Sequence, residues 1–219
     1  MMMKNFQWKW QDSVSVILGL ITLVYALVNY DRLPQLLPAQ FGITGEVNKY
    51  WNKGSVISLL GALGVLLPVL LQFTRSIDPK RENYRKFENA YGMIRLAISL
   101  LLNTALALSV SYGLDYHFPA GKILIAVLGL MFMVIGNYLP QVKHNYFLGI
   151  RTPWTLASPE VWRKTHRFSG ILWAIAGVLF ILGVFMPKIW AITFIITGLL
   201  LSIIVPLVYS WIVSRRISA

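Results

Sequence analysis

The chain has 219 residues, 57% of them hydrophobic and only 13% charged, with a mean hydropathy of +0.63. Soluble domains carry about a quarter charged residues, so a water-exposed globule is excluded. The net charge is +12 and there are no cysteines, which excludes disulfides, thiol chemistry and Cys-ligated metal. The basic residues flank apolar runs, a pattern that suits anionic lipid headgroups and not nucleic acid.

A helix needs about 20 apolar residues to cross hydrocarbon, and six runs qualify: about Val14–Asn29, Ser55–Phe73, Ala90–Tyr112, Lys122–Leu139, Gly170–Met186 and Ile189–Val213. They are uniformly apolar and not alternating, which selects helices over a β-barrel. The first run has no small-x-small cleavage site before Asn29 and more spans follow, so it reads as a permanent helix and not a secretory signal. The expected fold is therefore all-α, a polytopic membrane protein of six transmembrane helices.

Three connectors read as simple turns: 75–89, 113–121 and Pro187-Lys188. The connector 30–54 does not. Its prolines Pro34 and Pro38 fix an extended entry, and Gly42 and Gly45 permit tight turns. The connector 140–169 is more particular still, and its segment Asn145–Gly170 is the most informative part of the chain. Ser158-Pro159-Glu160 is a helix start, with an N-cap, a proline at the first helical position and an acid in the first turn. A helix from Pro159 places Trp162, Thr165, His166 and Ser169 on one face and continues into the fifth span.

Cations set the orientation. One side collects fourteen: Lys4, Lys9, Arg75, Lys80, Arg81, Arg85, Lys86, Lys143, Arg151, Arg163, Lys164, Arg167, Arg215 and Arg216. The other collects five: Arg32, Lys49, Lys53, Lys122 and Lys188. The excess places both termini and the 140–169 loop in the cytoplasm and the 30–54 loop outside. The two loops also echo each other. Leu33-Pro34-Gln35, Phe41-Gly42-Ile43 and Trp51-Asn52-Lys53 run parallel to Leu139-Pro140-Gln141, Phe147-Leu148-Gly149-Ile150 and Trp162-Arg163-Lys164. One reading is a 3+3 inverted repeat; chance recurrence of interfacial residues is the other.

The inner loop resembles the signature of the SdpI family of bacterial multi-pass membrane proteins. Asn145, Gly149, Ile150, Arg151, Thr152, Pro153, Trp154, Thr155 and Leu156 follow the family pattern without a gap, Val161, Trp162, Thr165, His166 and Gly170 continue it, and Gly136-Asn137 precedes it. The outer loop resembles the family's N-terminal domain at Leu33, Pro34, Pro38, Gly45 and Lys53, with Gln40 where the family has a histidine. The resemblance implies an immunity protein that protects its cell from a secreted peptide toxin, and it also implies a receptor that holds a cytoplasmic repressor at the membrane. Two regions follow: 1–89, with two helices and the outer loop, and 90–219, SdpI-like, with four helices and the inner loop.

The site residues expected on this reading are Pro34, Pro38, Gln40, Gly45, Trp51 and Lys53 facing the toxin. On the cytoplasmic loop they are Asn137, Asn145, Gly149, Arg151, Thr152, Pro153, Trp154, Trp162, Thr165 and His166. Trp154 and Trp162 read first as interfacial anchors, since indoles favour headgroup depth, and Arg151 as an intramolecular brace. Arg95 and Asn103 are the polar residues inside spans. Intramembrane charge is a functional suspect by default, and Arg95 is expected to face the bundle and meet Asn137 or the inner loop.

No paired carboxylates, Ser-His-acid grouping or phosphate loop is visible, so neither an enzyme nor a cofactor is expected. Two alternatives compete. A transporter of a peptide or lipid needs a polar cavity near the midplane. A metalloenzyme needs His144, His166 and Glu160 gathered on a metal.

Overall fold

A computed structural model describes residues 8–43 and 45–218; of the cations used for orientation, Lys4 lies outside them. Six helical spans are long and apolar enough to cross a bilayer. The protein is a multi-pass membrane protein, as the composition requires. The spans are α1 (Trp10–Val28), α2 (Lys53–Ile77), α3 (Glu88–Gly113), α4 (Ala120–Tyr138), α6 (Pro159–Val184) and a last span built from α7 (Lys188–Leu199) and α8 (Val205–Ser218). A short helix, α5 (Pro153–Ala157), precedes α6. The strands β1 (Leu36–Phe41) and β2 (Val47–Asn52) form an antiparallel hairpin between α1 and α2.

Helices α1, α2 and α3 pack mutually, and α4 packs chiefly on α6. Helix α3 also touches α4, so it joins the two regions expected from the sequence. Because α3 and α4 run in opposite directions, the hairpin and the inner loop cap opposite ends of the bundle. Gly113, at the end of α3, lies against Leu33 and Leu37, and Gly121, at the start of α4, lies against Gly42. At the other end α8 returns to the inner loop, where Ser210 Oγ is 3.1 Å from Thr152 Oγ1.

The α4–α6 contact is a backbone seam. Gly129 and Gly136 on one helix face Gly177 and Gly170 on the other, each pair spaced by seven residues. A Cβ on Gly136 would lie 2.6 Å from the Gly170 carbonyl, and one on Gly170 would lie 2.6 Å from the Gly136 carbonyl. Small residues give membrane helices this approach, because lipid supplies no hydrophobic drive between them.

Two prolines set local detail. Pro206 has no N–H to return, and the helix widens to a π turn over Leu200–Ile204 just before it. The Ser202 carbonyl, four residues back, instead receives the Trp173 indole N–H at 2.9 Å. Pro68 lies inside the unbroken helix α2, and its own carbonyl is a ligand for an arginine described below.

The hairpin was not foreseen from the sequence. Pro34, Pro38 and the glycines read as irregular chain, but an edge strand tolerates a proline whose missing N–H faces away from its partner. The hairpin is held by a buried Leu37 packed with Leu33, Val56, Leu106 and Val110. Ser109 Oγ also donates to the Pro38 carbonyl at 2.6 Å. The inner loop has no hairpin: it is an irregular chain closed by α5. A 3₁₀ turn after each preceding span, Tyr30–Arg32 and Leu139–Gln141, is what the two loops share.

Gly136→Leu should lower the melting temperature in detergent, since overpacking a tight seam costs on the order of 1–3 kcal/mol, whereas Gly54→Ala, with no contact closer than 3.2 Å at its Cβ position, should change it little. Differential scanning fluorimetry of both variants checks this.

Candidate functional site

The inner loop is organised by Asn145, which has no solvent exposure. Its Oδ1 accepts from the amides of Phe147 (2.9 Å) and Leu148 (2.7 Å), and its Nδ2 donates to the carbonyls of Lys143 (2.8 Å) and Leu148 (2.9 Å). Both halves of the amide are used, so the side chain substitutes for secondary structure. Asp78, in the connector before α3, supports the same loop. Its carboxylate accepts the Tyr146 amide, the Tyr84 hydroxyl at 2.9 Å and the Lys80 amide at 2.7 Å.

The next stretch turns on Gly149, at φ +112. A side chain there would run into the His166 ring and Trp162. The turn brings the Ile150 amide to His166 Nε2 at 3.0 Å, while His166 Nδ1 lies 2.9 Å from the Trp162 carbonyl. Nδ1 therefore carries the proton and Nε2 accepts. His166 and Trp162 stack at 4.0 Å with a 16° interplanar angle, and the Trp162 indole donates to the Val142 carbonyl at 2.8 Å. Thr152 caps α5: its Oγ1 accepts the Thr155 amide at 3.2 Å, and Thr155 Oγ1 accepts the Thr152 amide at 2.9 Å. Pro153 occupies the first helical position, where its missing N–H costs nothing. Ser158 caps α6 as the sequence suggested.

These contacts correct several expectations. Trp162 is 2% exposed and is a core residue of the loop, not an interfacial anchor. Asn137 is exposed on the outer side of α4 and does not meet Arg95. Arg151 does act as a brace, donating to the Tyr146 carbonyl at 2.6 Å while staying exposed. Trp154 is half-buried, and Thr165 is buried. The metal grouping fails on geometry. Both His166 nitrogens face backbone groups, Glu160 pairs with Lys164 at 2.8 Å, and no cluster of three possible ligands occurs among the described residues.

A second polar centre lies inside the bundle at the same end. Arg95 is 3% exposed and pairs not with Asn137 or the inner loop but with Asp12, also 3% exposed, at 2.5 Å. Arg95 also donates to the Pro68 carbonyl at 3.1 Å and lies over the Tyr91 ring. From Asp12 the chain of contacts continues to Gln72 (2.9 Å), Arg75 (3.5 Å), Glu88 (3.0 Å) and Lys9 (2.8 Å). Asp12 and Glu88 lie 76 residues apart in sequence, and no motif points from one to the other. Deeper in, Asn103 accepts from Thr22 at 2.6 Å and donates to Ser99 at 2.9 Å, which closes its polar groups within the bundle. The groove of about 300 Å³ between α1, α3 and α4 is lined by Val14, Leu18, Leu96, Leu100, Leu130 and other apolar residues. It lacks the polarity that a transport path needs.

The SdpI/YfhL protein family matches residues 141–210, the stretch that holds Asn145, Gly149, Thr152, Trp162 and His166. Residues 141–210 are thus similar to an SdpI/YfhL segment. Over 207 residues the chain is 20% identical to the immunity protein SdpI of Bacillus subtilis (strain 168), covering 92% of this chain and 94% of that protein. A domain of unknown function (DUF1648) matches residues 17–65, which include the hairpin. No solved structure matches the chain.

At the opposite end from the SdpI segment, the hairpin divides into two faces. Pro34, Gln40 and Trp51 are exposed, Trp51 at 40%, with Lys49 Nζ 5.6 Å from the Trp51 ring. Gly45, at φ +97, makes the turn beside Pro119. Pro38 and Lys53 do not face outward. Lys53 is 8% exposed, and its ammonium donates to the carbonyls of Tyr30 (2.9 Å) and Leu33 (3.0 Å). These carbonyls belong to the 3₁₀ turn that follows α1 and to its C-cap residue.

Two measurements test this geometry. Removing one partner of a buried ion pair costs about 3–5 kcal/mol. Asp12→Asn and Arg95→Gln should therefore each lower the melting temperature sharply, and the double variant should lose less than the two losses added; strict additivity would mean that the pair does not interact. The second concerns His144, whose Nδ1 takes a hydrogen bond from Lys80 at 2.6 Å. Burial and the Lys80 charge hold this imidazole below its ordinary 6.5, against a weaker opposite pull from the Leu156 carbonyl. The folded loop thus binds protons less readily than the opened one, so its stability is full above pH 6.5 and falls as the pH drops below it. The protection of residues 143–158 against hydrogen exchange, taken relative to the intrinsic rate at each pH, should fall from pH 7.5 to 5.5, and His144→Gln should remove that fall.

Proposed function

We propose that this chain is a membrane immunity protein that protects its cell from a secreted antimicrobial peptide, with the hairpin end outside and the inner loop in the cytoplasm. The observation that carries the reading is the alignment with the immunity protein SdpI along nearly the whole of both chains. The excess of cations at the SdpI-segment end supports the orientation. On this reading the toxin meets the exposed hairpin face at Pro34, Gln40 and Trp51. Pro38, Gly45 and Lys53 shape that face from behind, because the first and last are buried and Gly45 makes the turn.

The finer part of the proposal assigns the inner loop to a cytoplasmic repressor. Arg151 is exposed and Trp154 half-buried, beside the exposed Tyr146 and Phe147, while Asn145, Gly149, Thr152, Trp162 and His166 hold their shape from beneath. On this reading the protein acts by binding its partners.

Expression in a toxin-sensitive cell, followed by challenge with the purified peptide, tests protection. Survival should rise with the wild-type chain and fall with Trp51→Ala, while Arg151→Ala/Trp154→Ala should leave survival intact and release a fluorescent repressor fusion from the membrane. Equal survival of cells with and without the chain would refute the immunity reading.

A further inference from the structure

Beside the inner loop is a cavity of about 410 Å³ whose exposed cations take no part in the site described above. One wall is cationic: Lys86 before α3, Lys143 in the inner loop and Arg163 in the first turns of α6. All three side chains are exposed, and none has a carboxylate partner among the described residues. Lys86 meets only Asn83, at 3.2 Å, and Asn83 in turn donates to the His144 carbonyl at 2.8 Å, which fixes the floor. The other wall is apolar, formed by the exposed Pro140 and Pro159 over the buried Val142 and Trp162. The first turn of α6 also borders the cavity, and a helix of 26 residues presents its positive end there.

Position decides what such a cavity can hold. Helices α3 and α6 have 26 residues each, about 39 Å at 1.5 Å per residue. The hydrocarbon is about 30 Å thick, so each helix reaches into the headgroup layer, and Lys86 and Arg163 lie at that end. We propose that this cavity binds the phosphate of an anionic phospholipid, with Lys86, Lys143 and Arg163 around the phosphate and Pro140 and Pro159 against the glycerol backbone. Free phosphate shares the charge but not the apolar part, and a zwitterionic lipid brings a cation into a positive wall. The proposal is independent of whether the chain confers immunity.

The test uses the purified full chain in detergent, with thermal unfolding followed by tryptophan fluorescence. Added phosphatidylglycerol should raise the melting temperature, and phosphatidylcholine or inorganic phosphate at the same concentration should not. The rise should vanish in Lys143→Gln/Arg163→Gln, whose exposed side chains leave the fold intact, and should persist in Arg215→Gln/Arg216→Gln, which removes two cations elsewhere. Native mass spectrometry should show one retained phosphatidylglycerol on the wild type and none on the cavity variant. Equal effects of the two lipids, an equal effect of inorganic phosphate, or an unchanged response in the cavity variant would overturn the proposal.

Discussion

The Asp12–Arg95 pair holds the first and third helices together at a depth where neither charge has water to fall back on. A lone arginine in hydrocarbon is costly, and a lone aspartate equally so; together, with Gln72 and the Pro68 carbonyl taking the remaining hydrogen bonds, they become a fixed joint among α1, α2 and α3. The joint has a further consequence for the rest of the fold. By fixing α3, it fixes the short connector to α4, and through the glycine seam it sets α6, on which the whole inner loop is built. Both caps are therefore mounted on rigid helices, one at each end.

The inner loop follows a similar rule in a wetter place. It has little regular structure, so side chains do what a ladder would otherwise do: Asn145 and Asp78 take amides, His166 takes the Ile150 amide, and the Trp162 indole takes a carbonyl. Of the side chains left over, Arg151, Tyr146 and Phe147 are exposed and Trp154 is half-buried, and these are the ones a partner can reach. Residues that fix the loop and residues that present it are thus different sets within a single run of sequence.

Some of this could be read in the sequence and some could not. The six spans follow from apolar length alone, and the start of α6 from Ser158-Pro159-Glu160. Arg95 was rightly placed facing inward, but its partner was missed because Asp12 sits near the start of an apolar run and looks like a border residue. The spacing of Asp12, Ser15, Gly19 and Thr22, a small and polar stripe at helical intervals, was the available signal. Trp162 was misread because indole preference for interfaces is a statistical rule, and only the fold shows that residues 142–148 cover it. The hairpin was missed because its prolines and glycines suit an edge strand as well as they suit irregular chain. Gly136 and Gly149 were noted as motif positions, but the reasons, a backbone seam and a left-handed turn against a ring, exist only in three dimensions.

The account depends on the two caps facing different compartments. The chain has no cysteine, so single cysteines can be placed at exposed sites without background. With a membrane-impermeant maleimide on intact cells, Gln40→Cys on the hairpin should label at once, and Arg151→Cys should label only after the membrane is permeabilised. Labelling of both positions in intact cells, or of Arg151→Cys alone, would contradict it.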